Sequence, residues 1–255
     1  MGLSMALLLP SVKVLPKAGE PWCNAEMNEP EQPKKGWGCL QWVAVVIVLL
    51  LMILLGVATK SYVRSYHMLL ASQTMASNNC RQIIMCLKIW ANDNNGVFPD
   101  ASMPLPKSSN QAFRRLFQDE ITQEERIFGA SYSPFKPDND IGVAPSFSRA
   151  LEPGENLWAM VAGLKADING TFPLIFESPL NVEWPLQWRG DRPKDPVRGW
   201  TWARGKLVIG RSDMSVNVVT LVKKDGVMVL PDSLQKLFGV QSELPLRILN
   251  IEEKK

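Results

Sequence analysis

One histidine, His67, and four cysteines, Cys23, Cys39, Cys80 and Cys86, are all that the sequence offers of the side chains most used for nucleophilic and metal chemistry. No HExxH motif and no Cys/His set with metal-ligand spacing occurs. A Ser-His-Asp site would have to run through His67, which follows closely on a long apolar run and is poorly placed for a buried triad. Gly-rich phosphate loops are absent, so nothing implies a cofactor. Cys80 and Cys86 are six residues apart on a predicted helix and point about 120° from each other. They cannot bridge within that helix and read as buried apolar thiols.

Two acidic groupings remain. Asp138-Asn139-Asp140 could contribute oxygens to a calcium site, but calcium takes about six to eight of them. The simpler reading is a solvated loop. Asp119, Glu120, Glu124 and Glu125 read as a solvated helix face.

The stretch with most chemical character runs from Trp184 to Arg211. Beyond Trp188 it holds seven basic residues against Asp191 and Asp195, with four tryptophans interleaved from Trp184 on. The candidate contact set is Trp184, Trp188, Arg189, Arg192, Arg198, Trp200, Trp202 and Arg204. Basic groups with aromatics can bind single-stranded nucleic acid or an acidic polymer. The other reading is that the tryptophans fill a small core or a subunit contact while the arginines face water. The net charge of +3 does not by itself demand a polyanion.

The element that must position all of this is a long helix. Val43 to Ala58 is sixteen residues without a polar side chain, and Leu40, Gln41 and Trp42 extend it. About 20 apolar residues of helix cross a bilayer core. Lys34, Lys35, Lys60 and Arg64 flank the run, with Trp42 and Tyr62 near its ends, as in a spanning helix. The apolar pattern then continues at steps of three and four through Tyr62, Tyr66, Leu69, Leu70, Gln73, Ala76, Cys80, Ile83, Ile84, Leu87, Trp90 and Ala91. No proline interrupts residues 34–98, in a chain with nineteen. The spacing predicts one helix over 39–93, its span at 39–59 in the lipid bilayer and its continuation at 60–93 laid on the remainder of the chain.

Residues 1–38 are rich in proline and charge and read as a disordered arm. Met27 offers an alternative start, which would leave residues 1–26 untranslated. Residues 94–255 read as one α+β domain. A capping box at Ser108 and Gln111 opens a short helix, and Thr122 with Glu125 repeats the signal. Residues 129–156 read as loop and 157–164 as either strand or helix. Phe172–Phe176 reads as a strand, and 179–200 as irregular. Lys206–Ile209 and Val216–Val222 form a hairpin, Asp225-Gly226 turns into a third strand, and Asp232–Phe238 is a short helix. The predicted whole is an antiparallel sheet covering the apolar stripe of the long helix. Asp93–Pro99 and Asp167–Pro173 share the pattern Asp-x-Asn-Gly-x-Phe-Pro, a reused turn design.

This plan resembles that of type IV pilins and type II secretion pseudopilins. Asn78–Pro99, with its Arg-Gln-Ile core and its Ala-x-Asp-x-x-Gly-x-Phe-Pro turn, is similar to the helix-end signature of pseudopilin-like proteins of planctomycetes and verrucomicrobia. Lys206–Val216 is similar to their terminal hairpin. The resemblance covers residues 39–222. Lys34-Lys35-Gly36 stands where a prepilin leader ends, with Trp37 in the usual Phe place and Gln41 where the family has Glu. It implies a pilin-like fold and a non-enzymatic, single-pass subunit of a secretion or pilus-type assembly. The partners would be other pilin-like subunits or secretion-assembly proteins, met through the long helix. It also implies an inner-membrane location, with the N-terminus cytoplasmic and the sheet domain extracytoplasmic. Charge alone leaves orientation open, because two basic residues stand on each side of the span. The alternative is an anchored envelope module that binds DNA or an anionic polymer through 184–211.

Overall fold

The computed structural model describes residues 38–168, 170–239 and 247–254. The N-terminal arm lies outside them, with Cys23, Met27, Lys34, Lys35, Gly36 and Trp37, as do Asn169 and the side chains of Cys39 and Leu40. The described chain divides into two units at Leu54–Leu55. In the first, residues 41–54 are helical and their apolar side chains are almost all exposed.

Helix α1 spans Cys39–Asp93. Among the described residues it is the one helix long and apolar enough to cross a membrane, and none of its apolar 18-residue window is buried. Its C-terminal part carries the predicted stripe. Ala76, Cys80, Ile83, Ile84, Leu87 and Ala91 are fully buried, and Gln73 and Trp90 nearly so. Burying a Leu or Ile side chain contributes about 1.5–3 kcal/mol, so packing far outweighs helix propensity in holding this half. The stripe starts later than its spacing predicts. Tyr62 and Tyr66 stay 72% and 44% exposed, and continuous burial of the stripe begins only beyond them. At the other end Asn95 (φ 54°) and Gly96 (φ 75°) take the left-handed conformation that Asn and Gly tolerate, and Gly96 N–H closes on Ala91 O at 2.8 Å.

Eight strands follow among the described residues: β1 (Trp158–Ala162), β2 (Pro173–Glu177), β3 (Gln187–Trp188), β4 (Lys206–Arg211), β5 (Val216–Thr220), β6 (Val222–Lys224), β7 (Val227–Val229) and β8 (Arg247–Leu249). They form two sheets, where the sequence predicts one. The larger is fully antiparallel in the order β5-β4-β2-β1-β8, and the smaller runs β3-β7-β6. The division falls at Leu221. This buried residue gives its N–H to Gly205 O at 2.8 Å, and the chain on either side of it pairs first with β4 and then with β7. The predicted third strand therefore leaves the main sheet.

Ile175 and Gly210 are register partners, and the hydrogen of Gly210 points at Ile84 and Cys80 of α1. By alternation Glu177 faces α1 as well, while Phe176 turns the other way and meets Trp188 edge-on at 6.2 Å. The central strands β1 and β2 are thus buried on both faces, not on one as the sequence predicts.

Helix α2 (Ser109–Gln118) is capped by Ser108, whose Oγ accepts the Gln111 N–H at 3.2 Å. Gln111 Oε1 reaches back one residue further than a capping box requires, to Lys107 N–H at 3.0 Å. Ser108 Oγ also donates to Glu252 Oε1 at 2.5 Å, tying the cap to the chain after β8. Ser108→Ala is expected to lower stability by about 1 kcal/mol. The loss should appear as a lower urea midpoint with an unchanged slope. A last helix, α3 (Asp232–Gly239), matches its prediction to within a residue.

Candidate functional site

The structure disperses the Trp/Arg stretch. Trp188, Trp200 and Trp202 are buried in the core, and Trp184 alone of the four is exposed. Trp188 Nε1 donates to Glu177 O at 3.1 Å and Trp202 Nε1 to Glu177 Oε1 at 2.5 Å, while Trp200 and Trp202 meet edge-on at 4.7 Å. Rings held this way cannot stack on bases, which corrects their place in the candidate contact set. Arg189 is bidentate to Asp191 at 2.9 and 3.1 Å, and Arg198 donates to Ile251 O at 3.0 Å with Glu253 at 3.6 Å. Arg192 lies 5.5 Å over the Trp200 ring. Arg192 and Arg204 have no carboxylate within ion-pair distance among the described residues.

The acidic groupings are also rearranged. Glu125 is not on a solvated face but fully buried at the start of a 3-10 turn, Glu125–Phe128. Asp119 accepts from Trp90 Nε1 at 2.6 Å. Glu125 accepts the N–H groups of Asn139 at 2.8 Å and Leu151 at 2.6 Å. Glu155 accepts those of Asp138 at 3.2 Å and Glu152 at 2.6 Å. Oxygens of Glu125, Asp138 and Glu155 all lie within 4.8 Å of one another. Three carboxylates so close can share a divalent cation or retain a proton. Asp140 does not join them; it pairs with Arg149 at 2.5 Å. The calcium reading thus keeps Asp138, loses Asp140 and gains two glutamates that the sequence pattern does not mark.

Glu177 is the other buried acid. Its oxygens accept from Trp202 Nε1 and, at 3.0 Å, from Val208 N–H. Burial pushes its carboxyl up to about 8, against the two hydrogen bonds that lower it. Burial and the nearby Glu125 push Glu155 up to about 7. Both acids bind protons more readily folded than unfolded. Their stabilising contribution is complete below the ordinary value of 4.5 and is lost as pH rises through about 7 and then about 8. The thermal midpoint is therefore expected to fall across that window, and Glu177→Gln should flatten the upper part of the fall.

Cys80 is fully buried and its thiol is pushed well up by burial, then by the charge of Glu177. Cys86 is buried too and likewise raised by burial. Neither is a poised nucleophile. His67 is exposed, with the Tyr66 ring 6.3 Å away.

No protein-family model, curated protein or solved structure matches this chain.

What the structure leaves unpartnered is helix surface. The apolar side chains of residues 46–57 are about half exposed or more. On the far side of the docked half, Met75, Met85 and Ile89 are each exposed by nearly half. At 100° per residue they share an arc of about 80°, turned from the sheet.

Proposed function

We propose that this chain is a non-enzymatic, membrane-anchored subunit of pseudopilin-like construction. It acts in a secretion or pilus-type assembly of the inner membrane by packing helix against helix. The arm lies inside and the sheet domain outside. The observation that carries this reading is the double use of α1. One helix contains an apolar run with no buried window and a second half whose inner stripe is the spine of the core. A helix built only to anchor needs no such spine, and a core helix needs no such run.

The test is crosslinking in native membranes from photoreactive residues placed at Met85 and Ile89, with Val143 on a distant loop as the control position. Adducts from the two helix positions to another pilin-like or secretion-assembly protein are expected. Adducts from Val143 alone would overturn helix packing as the mode of action.

The anchored polyanion-binding module retains one supporting observation, that Arg192 and Arg204, like six other arginines, have no carboxylate within 4.0 Å among the described residues. DNA retention by the wild type, lost on changing Arg189, Arg192, Arg198 and Arg204 together, would favour it over the subunit reading.

A further inference from the structure

A sheet exposes unpaired backbone at its edges. Among the described residues there are four: β5 and β8 bound the larger sheet, β3 and β6 the smaller. Natural proteins blunt such edges by keeping them short, by placing lysines on them or by bending them with bulges. Three of the four follow that rule. β3 has two residues, β8 has three and opens on Arg247, and β6 is Val222-Lys223-Lys224. β5 does not. It is five residues long, Val216-Asn217-Val218-Val219-Thr220, without charge or proline, and it pairs with β4 along its whole length with no bulge.

The phase of the hydrogen bonds fixes which groups of β5 are left over. Arg211 N–H donates to Ser215 O at 2.9 Å, and Leu221 N–H to Gly205 O at 2.8 Å. In an antiparallel ladder, bonded pairs alternate with unbonded ones. Asn217 and Val219 therefore turn their N–H and C=O groups to Ile209 and Leu207 of β4, while Val216, Val218 and Thr220 turn theirs outward. Among the described residues these outward groups have no hydrogen-bond partner. The Val218 side chain is 45% exposed as well.

We propose that β5 is a docking edge that takes one extended segment of another protein as a sixth strand, continuing the antiparallel order of the sheet. The groups to be met are backbone donors and acceptors at every second residue, and a strand presents the complementary set. Opposite Val216, Val218 and Thr220 the incoming segment carries β-branched side chains, which pair best with such neighbours. Charge sets its end. The Thr220 end of β5 is flanked by Lys206, its register partner, and by Lys223 and Lys224, against Asp225 alone. An antiparallel partner has its N-terminal end there, so it begins with an acidic residue. A second copy of this chain is a poorer match. Two β5 strands paired about Val218 would bring Arg211 and Asp213 to those lysines, one further cation and one carboxylate, and that carboxylate already accepts the Ser215 N–H at 2.9 Å. The pairing does not depend on how α1 meets its own partners, so either can fail alone.

The probe is the peptide acetyl-Glu-Thr-Val-Thr-Val-Thr-amide, added to the full chain in lipid nanodiscs while hydrogen exchange is followed amide by amide. Without peptide, the Val218 and Thr220 amides should exchange at least about tenfold faster than those of Asn217 and Val219. With peptide they should slow towards them. Val218→Pro removes one outward N–H and leaves every bond to β4 in place, so it should weaken the peptide about tenfold with the melting temperature unchanged. Val218→Lys keeps the N–H but charges the edge and should weaken it too. A peptide with Lys in place of Glu should bind about fivefold less tightly to the wild type. Val218 and Thr220 amides as slow as their neighbours before any addition would overturn the proposal, because the edge would already be covered. So would absence of protection at about 1 mM peptide, or equal binding by the wild type and both variants. Self-association of the chain, lost in both variants, would overturn the separate partner in favour of a second copy.

Discussion

Glu177→Ala is expected to cost the folded domain about 3–5 kcal/mol. The carboxyl accepts from Trp202 Nε1 and from Val208 N–H, and all three groups are buried. Removing it strands two donors and leaves a cavity between sheet and helix. A domain of this size is stable by about 5–15 kcal/mol, so the variant should unfold at markedly lower urea. Glu177→Gln keeps one carbonyl oxygen and should lose only about 1–3 kcal/mol. Equal losses in the two variants would mean that side-chain volume matters here and the hydrogen bonds do not.

Gly210→Val is expected to loosen α1 from the sheet. A Cβ on residue 210 would lie 2.4 Å from Ile84 Cδ1 and 2.5 Å from Cys80 Sγ, closer than atoms pack. Both partners are fully buried, so neither can swing into water. Overpacking of this kind costs about 1–3 kcal/mol, and a branched side chain on the tightest contact belongs at or above the upper end. The milder Gly210→Ala should be partly rescued by Cys80→Ala, which removes the sulfur from the clash. A coupling of about 0.5–3 kcal/mol in the double-mutant cycle would place the strain at this contact. Additive effects would move it elsewhere.

Much of the fold was legible because its signals are local. The α1 stripe repeats over many turns, its Asn-Gly end needs positive φ, and Ser108 with Gln111 marks a helix start within four residues. The hairpin β4–β5 is legible for the same reason. The strands β3 and β8 were not, since two or three residues carry no usable period. Their pairing with β7 and β1 is fixed by long-range contacts. The separation into two sheets hangs on Leu221, which in sequence is one more apolar residue in a strand. At the sites, the tryptophans of 188–202 allowed two readings, and burial decided for the core. Glu125 was misread because carboxylates are rarely buried. Glu125 beside Glu124 looks solvated, and Glu177 looks like the polar end of a strand. Only the three-dimensional positions of the Leu151, Asn139 and Val208 N–H groups explain why these acids are inside.

The close approach of Gly210 to Ile84 and Cys80 also has a mechanical meaning. A movement of α1 here is felt by β4, the strand flanked by β2 and β5. Because the contact is backbone against two fully buried side chains, the helix cannot shift on the sheet at this point without moving β4.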